Sequence, residues 1–275
     1  MGEGSGDARS VLVRGAIATV ALAACLVVAG CGGEDVGAAK APDPPVGSPV
    51  LPDLMPKPQF NVLTQKVGDR WRLRFSTTIV NVGDGDFILR AVRNLRGGWK
   101  AEQDIPYSEQ GARRVRVPAQ LVWGGDGHNH WHVNRVAVVT LVPLTKDGRV
   151  EANGKVFVDG KVGFCFYDFA QELPSASAER TYTAKGCGKQ DWTAVGMGLS
   201  PGWADTYRFS LRGQSIDVTE VPAGKYRLFT DIDPKGWFHE ASTRNNRTWI
   251  DIDLKRTAQG LVAPKIGTGP TPTLP

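Results

Sequence analysis

Apolar and polar positions alternate along most of the chain, with a period of two. In Arg70-Trp71-Arg72-Leu73-Arg74-Phe75 every second side chain is apolar and the others are arginine, the pattern of a strand with one buried and one wet face. Ile250, Ile252 and Leu254 alternate with Asp251 and Asp253 in the same way. Between them lie short apolar stretches at 86–89, 136–142, 162–167, 207–211 and 226–232. Gly83-Asp84-Gly85, Asp147-Gly148, Asn153-Gly154, Asp159-Gly160 and Pro222-Ala223-Gly224 separate them as turns. The spacing predicts an all-β fold over residues 51–255, a β-sandwich-like single domain with long irregular loops. Residues 171–200 are expected to form a long irregular loop stapled by a disulfide.

The two ends break the pattern. Arg9 and Arg14 sit in a polar N-terminal stretch, and residues 15–30 are uncharged and rich in Ala, Leu and Val. That is the order of a secretory signal, too short for a comfortable membrane span. The run closes with Val28-Ala29-Gly30-Cys31, which resembles the bacterial lipobox. The resemblance implies that residues 1–30 are a cleaved lipoprotein signal peptide and that Cys31 is lipidated. The protein is then expected outside the cytoplasm, anchored by lipid to the bacterial cell membrane. Residues 31–50, mostly Gly, Ala and Pro, read as a flexible tether. Residues 256–275, ending Thr271-Pro272-Thr273-Leu274-Pro275, read as a disordered tail.

Export changes the meaning of charge and cysteine. The formal net charge is +5, densest at Arg113-Arg114 and Arg116. Outside the cell this argues against a nucleic-acid partner and for attraction to anionic envelope polymers or lipid headgroups. Of the four cysteines, Cys25 leaves with the signal and Cys31 takes the lipid. Cys165 and Cys187 remain in an oxidising compartment, where a disulfide is the natural reading.

Three of the four histidines fall in His128-Asn129-His130-Trp131-His132. On a strand, positions i, i+2 and i+4 share a face. Full extension, however, separates the first and third Cα atoms by roughly 13 Å. One ion bound to all three at about 2 Å therefore needs a curved or bulged backbone, and Gly124-Gly125-Asp126-Gly127 supplies flexibility just upstream. All-nitrogen ligation suits Cu(II) or Zn(II), and the Irving–Williams order favours copper. His239 reads as a surface or loop residue rather than a fourth ligand.

With these residues in hand, the chain resembles the catalytic domain of the lysyl oxidase family over most of residues 51–254. Leu51-Pro52-Asp53-Leu54 is similar to the family's first segment. Leu73-Arg74-Phe75 with Asn81, Gly83, Asp86 and Phe87 is similar to the strand pair that follows. His128, His130 and His132 match the copper motif. Gly160-Lys161 with Phe164-Cys165 matches the segment holding the cofactor lysine. Residues 198–202 and Asp205-Thr206-Tyr207 match the segment holding the cofactor tyrosine. Residues 216–219 and 222–226 follow in order, and Glu240 with Asn245-Asn246 closes the match. Trp203 and the Gly213-Gln214 region lack cysteines found in animal members, and nothing resembles an animal propeptide. The collagen and elastin substrates of those members therefore do not carry over.

The resemblance implies a copper-dependent amine oxidase. It would convert primary amines or lysyl side chains, with dioxygen, to aldehydes, ammonia and hydrogen peroxide. Its cofactor would be lysine tyrosylquinone, with the ring from Tyr207 and the amine from Lys161, which must lose its proton to attack. Asp205, two residues before Tyr207, is the candidate general base, with a structural hydrogen-bonding role as its alternative. The resemblance further implies a calcium site built from Asp53, Glu240, Asn245, Asn246 and the Leu54 carbonyl, with Ser242 where an acidic ligand would be expected. Two other readings use the same histidines: an envelope lipoprotein that stores or delivers copper without catalysis, and a metal-stabilised adhesion domain. Metal storage has no use for the Lys161 and Tyr207 pair.

Overall fold

The twelve-residue strand Arg70–Asn81 organises the domain. The structure is a computed structural model that describes residues 43–124, 127–160 and 163–269. The expected signal peptide, Cys31 with its expected lipid, most of the expected tether and Lys161 lie outside the described residues. The first half of Arg70–Asn81 pairs with Phe60–Val67 on one side and Ser215–Asp217 on the other. Its second half pairs with Leu54–Pro56 and Trp203–Tyr207, and Ala170–Gln171 continues that sheet. A second sheet runs Phe157–Val158, Ala137–Pro143, Gly224–Ile232, Arg247–Thr257 and Gly260–Val262. All the strand pairs described are antiparallel.

The alternation in the sequence decides which faces meet. Leu73 and Phe75 point inward with Ile216 and Val218, and pack against Val139, Leu141, Leu228, Ile250, Ile252 and Leu254 of the second sheet. Each such side chain, fully buried, contributes about 1.5–3 kcal/mol over its exposed state. This is the sandwich that the sequence predicts. A second core gathers Ile79, Phe87, Trp99, Trp131, Phe164, Phe166 and Tyr207. Two smaller sheets cover it. One runs Gly163–Phe164, Trp131–Asn134 and Leu121–Trp123; the other runs Ala194–Leu199, Phe87–Arg93, Trp99–Pro106 and Ala112–Val117. The only helical element among the described residues is the short 3-10 turn Ala184–Cys187.

That turn carries one end of the disulfide. Cys165 and Cys187 are bonded, with Cα atoms 5.9 Å apart and a sequence separation of 22, and both are fully buried. Closing a loop of this length stabilises a fold by about 3 kcal/mol in the chain-entropy description.

Three stretches differ from expectation. Ala194–Leu199, expected within an irregular loop, is a strand paired along its length with Phe87–Arg93. Val195, Met197 and Leu199 face inward, but the glycines at 196 and 198 dilute the sequence signal. At the tether's end, Val46 and Pro49 bridge to Gln110 and Tyr107 at the hairpin between Trp99–Pro106 and Ala112–Val117.

The third correction concerns the expected tail. Residues 256 and 257 continue the long strand Arg247–Thr257, while Gly260–Val262 and Lys265–Thr268 both return along it. Gly260 takes φ +127°, where a Cβ would also meet the Trp71 ring at 2.6 Å, so only glycine makes this return. Leu261 and Ala263 enter the sandwich core. The glycine and proline content that resembles a tail in sequence here serves a tight reversal. Leu261→Ala should therefore cost about 2–4 kcal/mol in urea unfolding, whereas an unpacked tail would lose nothing.

Candidate functional site

Strands Leu121–Trp123 and Trp131–Asn134 form a hairpin, and the histidines lie on its connecting loop and second strand. His132 sits on the strand opposite Val122 and is fully buried. His128 and His130 do not continue that strand, contrary to the single-face expectation. The His130 N–H donates to the His128 carbonyl at 2.8 Å, and the Gly124 N–H donates to the His130 carbonyl at 2.9 Å. The backbone doubles back within three residues, and this meets the curvature condition that a straight strand could not. One ligand atom from each of the three rings lies within 4.8 Å of the others. The His130 and His132 Nε2 atoms are 3.0 Å apart. A metal with bonds of about 2 Å holds its ligand atoms at comparable separations, so the donor set fits Cu(II) or Zn(II). His239 is exposed and outside this group; its backbone N–H and carbonyl are held by the Gln103 side chain.

Two glycines make room in the hairpin, Gly124 for the His132 ring and Gly163 for the Val133 backbone, and sequence reasoning did not single out either for this role. A Cβ on Gly124 would lie 2.4 Å from His132 Cε1 and 2.7 Å from the His128 carbonyl oxygen. A Cβ on Gly163 would lie 2.1 Å from the Val133 carbonyl oxygen. Nothing in the local sequence distinguishes them from turn glycines; only the contact across the hairpin does.

Tyr207 stands beside the histidines. Its strand, Trp203–Tyr207, places Trp203, Asp205 and Tyr207 on one face, all buried. The Tyr207 ring centroid lies 5.4 Å from that of His128, 6.0 Å from His132 and 4.3 Å from Phe164. Its hydroxyl oxygen accepts the Cys165 N–H at 2.9 Å. Gln214 Nε2 donates to the Tyr207 carbonyl at 3.1 Å and to Thr77 Oγ1 at 3.0 Å. The tyrosine is thus held at both its backbone and its hydroxyl. On either side of Lys161, the Gly160 N–H donates to Ser215 O at 3.2 Å, and Gly163 pairs with Asn134. Near Asp205 lies Tyr167, missed in the sequence reading because it sits within the run Phe164-Cys165-Phe166-Tyr167. Burial pushes its hydroxyl pKa up, the Asp205 charge adds to this, and Arg180 and Arg208 oppose it.

A second polar cluster joins the two ends of the domain. Asn245 Nδ2 donates to Asp53 Oδ1 at 2.8 Å, and Asn246 Nδ2 donates to Glu240 Oε1 at 3.0 Å. The Leu54 N–H donates to Glu240 Oε2 at 2.7 Å. These are the residues of the expected calcium site, brought together from residues 53–54 and 240–246. Ser242 turns to its own loop, accepting the Arg244 N–H at 3.2 Å. The side-chain carbonyl oxygens of Asn245 and Asn246 are buried without a hydrogen-bond partner among the described residues. Two such oxygens beside two carboxylates fit a hard cation. Burial pushes the Glu240 carboxyl up to about 8, and the charges of Asp233 and Asp53 add to the effect.

Two outcomes follow from this geometry. Glu240 ordinarily titrates near 4.5, so its raised value means that the folded protein holds this proton more tightly than the unfolded chain. The stability it contributes is full below pH 4.5 and is lost as pH rises towards 8. Urea midpoints of the metal-free protein should fall across that window, and Glu240→Gln should flatten the fall. At the histidine site, Gly124→Ala should weaken Cu(II) or Zn(II) binding by about 10–100-fold, the scale of lost support around a ligand. Competition with a chromophoric chelator measures this.

Comparison with known proteins agrees with this geometry. The family model described as lysyl oxidase matches residues 116–262. Lysyl oxidase homolog 2 of Gallus gallus is 29% identical over 180 residues, covering 65% of this chain and 18% of that protein. Lysyl oxidase homolog 2 of Homo sapiens is 27% identical over the same length, again covering 65% and 18%. Lysyl oxidase homolog 3A of Danio rerio is 29% identical over 180 residues, with the same coverage. This chain therefore spans less than a fifth of the length of the relatives it matches. The matched region holds the histidine turn, Tyr207 and most of the carboxylate–amide cluster, and on that ground the chain belongs to the lysyl oxidase family.

Proposed function

We propose that this chain is a copper-dependent amine oxidase that converts primary amines or lysyl side chains to aldehydes, releasing ammonia and hydrogen peroxide. The observation that carries the reading is the convergence of His128, His130 and His132 within 4.8 Å beside the buried Tyr207. When bound, copper with dioxygen supplies the oxidation of the tyrosine ring, and the lysine tyrosylquinone built with Lys161 supplies the electron sink for amine oxidation. Lys161 stands three positions before Phe164 in sequence, and the Phe164 ring touches that of Tyr207.

The remaining work falls to the chain's own residues. Phe164 and the neighbouring apolar core exclude water from the Tyr207 ring. The Cys165 N–H fixes the tyrosine oxygen, and with it the ring edge presented to the histidines. Asp205, on the same strand face as Tyr207, takes the α-proton of the amine. Asp53, Glu240, Asn245 and Asn246, with the Leu54 carbonyl, would hold calcium away from the reacting atoms and keep the two ends of the domain together. The lipobox-like Val28-Ala29-Gly30-Cys31 supports an extracytoplasmic protein, tethered to the membrane through lipid on Cys31.

The test is a peptide map by mass spectrometry after copper loading in air. The Lys161 and Tyr207 peptides should appear as one cross-linked species, and Tyr207→Phe should abolish both the cross-link and peroxide release while copper still binds. Free, unmodified peptides in the copper-loaded protein would remove the oxidase reading and favour copper storage.

A further inference from the structure

Beside the histidine turn the surface opens into a cleft of about 650 Å³ lined by Trp123, Asn129, Lys189, Gln190 and Asp191. Its volume is within the range of small-molecule sites, roughly 300–1,000 Å³. One wall belongs to the metal hairpin. Trp123 immediately precedes Gly124, and Asn129 lies between His128 and His130. The facing wall, residues 189–191, starts two residues after the disulfide-bonded Cys187. It is fixed again by Trp131, whose indole N–H donates to the Lys189 carbonyl at 2.9 Å. The Trp131 ring in turn meets Trp123 edge-on, with centroids 5.3 Å apart. Both walls are therefore anchored to the strand that carries His132.

The chemistry of the lining is specific. Lys189 and Asp191 are both exposed, so the cleft presents one ammonium and one carboxylate from positions two apart. Trp123 and Asn129, which line the same cleft, belong to the hairpin that carries the histidines. We propose that this cleft admits a small zwitterionic amine, a free diamino acid. Its carboxylate would meet Lys189, its α-ammonium Asp191, and its side-chain amine would extend past Trp123 towards the histidine turn. This assignment rests on the amine oxidase reading and narrows its substrate class. A lysyl residue within a peptide carries neither α-charge and leaves both side chains unused. A simple diamine uses only Asp191, and a monoamine uses neither.

The experiment compares L-lysine, 1,5-diaminopentane, pentylamine and a lysine blocked at both α-groups, with the copper-loaded full chain and peroxide release as the readout. L-lysine should show the lowest KM. Asp191→Asn should raise the KM of L-lysine and of the diamine relative to pentylamine by about three- to fivefold, the scale of one exposed ion pair. Lys189→Gln should raise it for L-lysine relative to the diamine. Equal KM values across the four amines, or substitutions that shift all four alike, would overturn the assignment. Binding provides a separate readout: L-lysine titrated into the metal-free protein should shift the Trp123 indole resonance saturably, and less tightly in both variants. Turnover of none of the four amines would sink the oxidase reading, and the titration would still decide the cleft. An unmoved indole resonance would sink the cleft proposal even in an active enzyme.

Discussion

Three imidazoles drawn from five consecutive residues can converge on one point only if the backbone between them reverses. An extended strand would spread them, and a helix would point them apart. Here the reversal is the hydrogen bond from the His130 N–H to the His128 carbonyl, locked by Gly124 reaching the His130 carbonyl. Much else in the site depends on it. Gly124 and Gly163 lack side chains where the hairpin's contacts leave no space. Tyr207 reaches the rings because its strand lies over the same core as Phe164 and Trp131.

The sandwich was legible in the sequence because one physical signal, alternation, specifies it. Leu73, Phe75, Ile250, Ile252 and Leu254 all face the core they imply. The signal failed where composition and packing disagreed. Residues 260–268 look like a tail because glycine and proline are common there, yet Leu261 and Ala263 find a core only visible in three dimensions. Ala194–Leu199 carries the right alternation, weakened by two glycines that face open space or a tyrosine ring. The site divides in the same way. The histidine motif and the tyrosine segment stand out by residue type and order. The turn that gathers the histidines, and the roles of Gln214, Gly124 and Gly163, arise from contacts between distant segments and leave no local trace.

The polar cluster at the domain's ends shows a different balance. Asp53, Glu240, Asn245 and Asn246 are drawn into partly buried surroundings where carboxylates are disfavoured as anions. Hydrogen bonds from Leu54, Asn245 and Asn246 offset part of that cost. The same groups that strain the closure without a cation would make it firm with one, because a divalent charge reverses the sign of the local field.

The disulfide has a further consequence. Cys165 gives its N–H to Tyr207, and Cys187 begins the segment that becomes the outer wall of the cleft. One covalent strut thus sets both the tyrosine's aim and the width of the doorway beside it. A reducing agent that severed this strut would loosen both together.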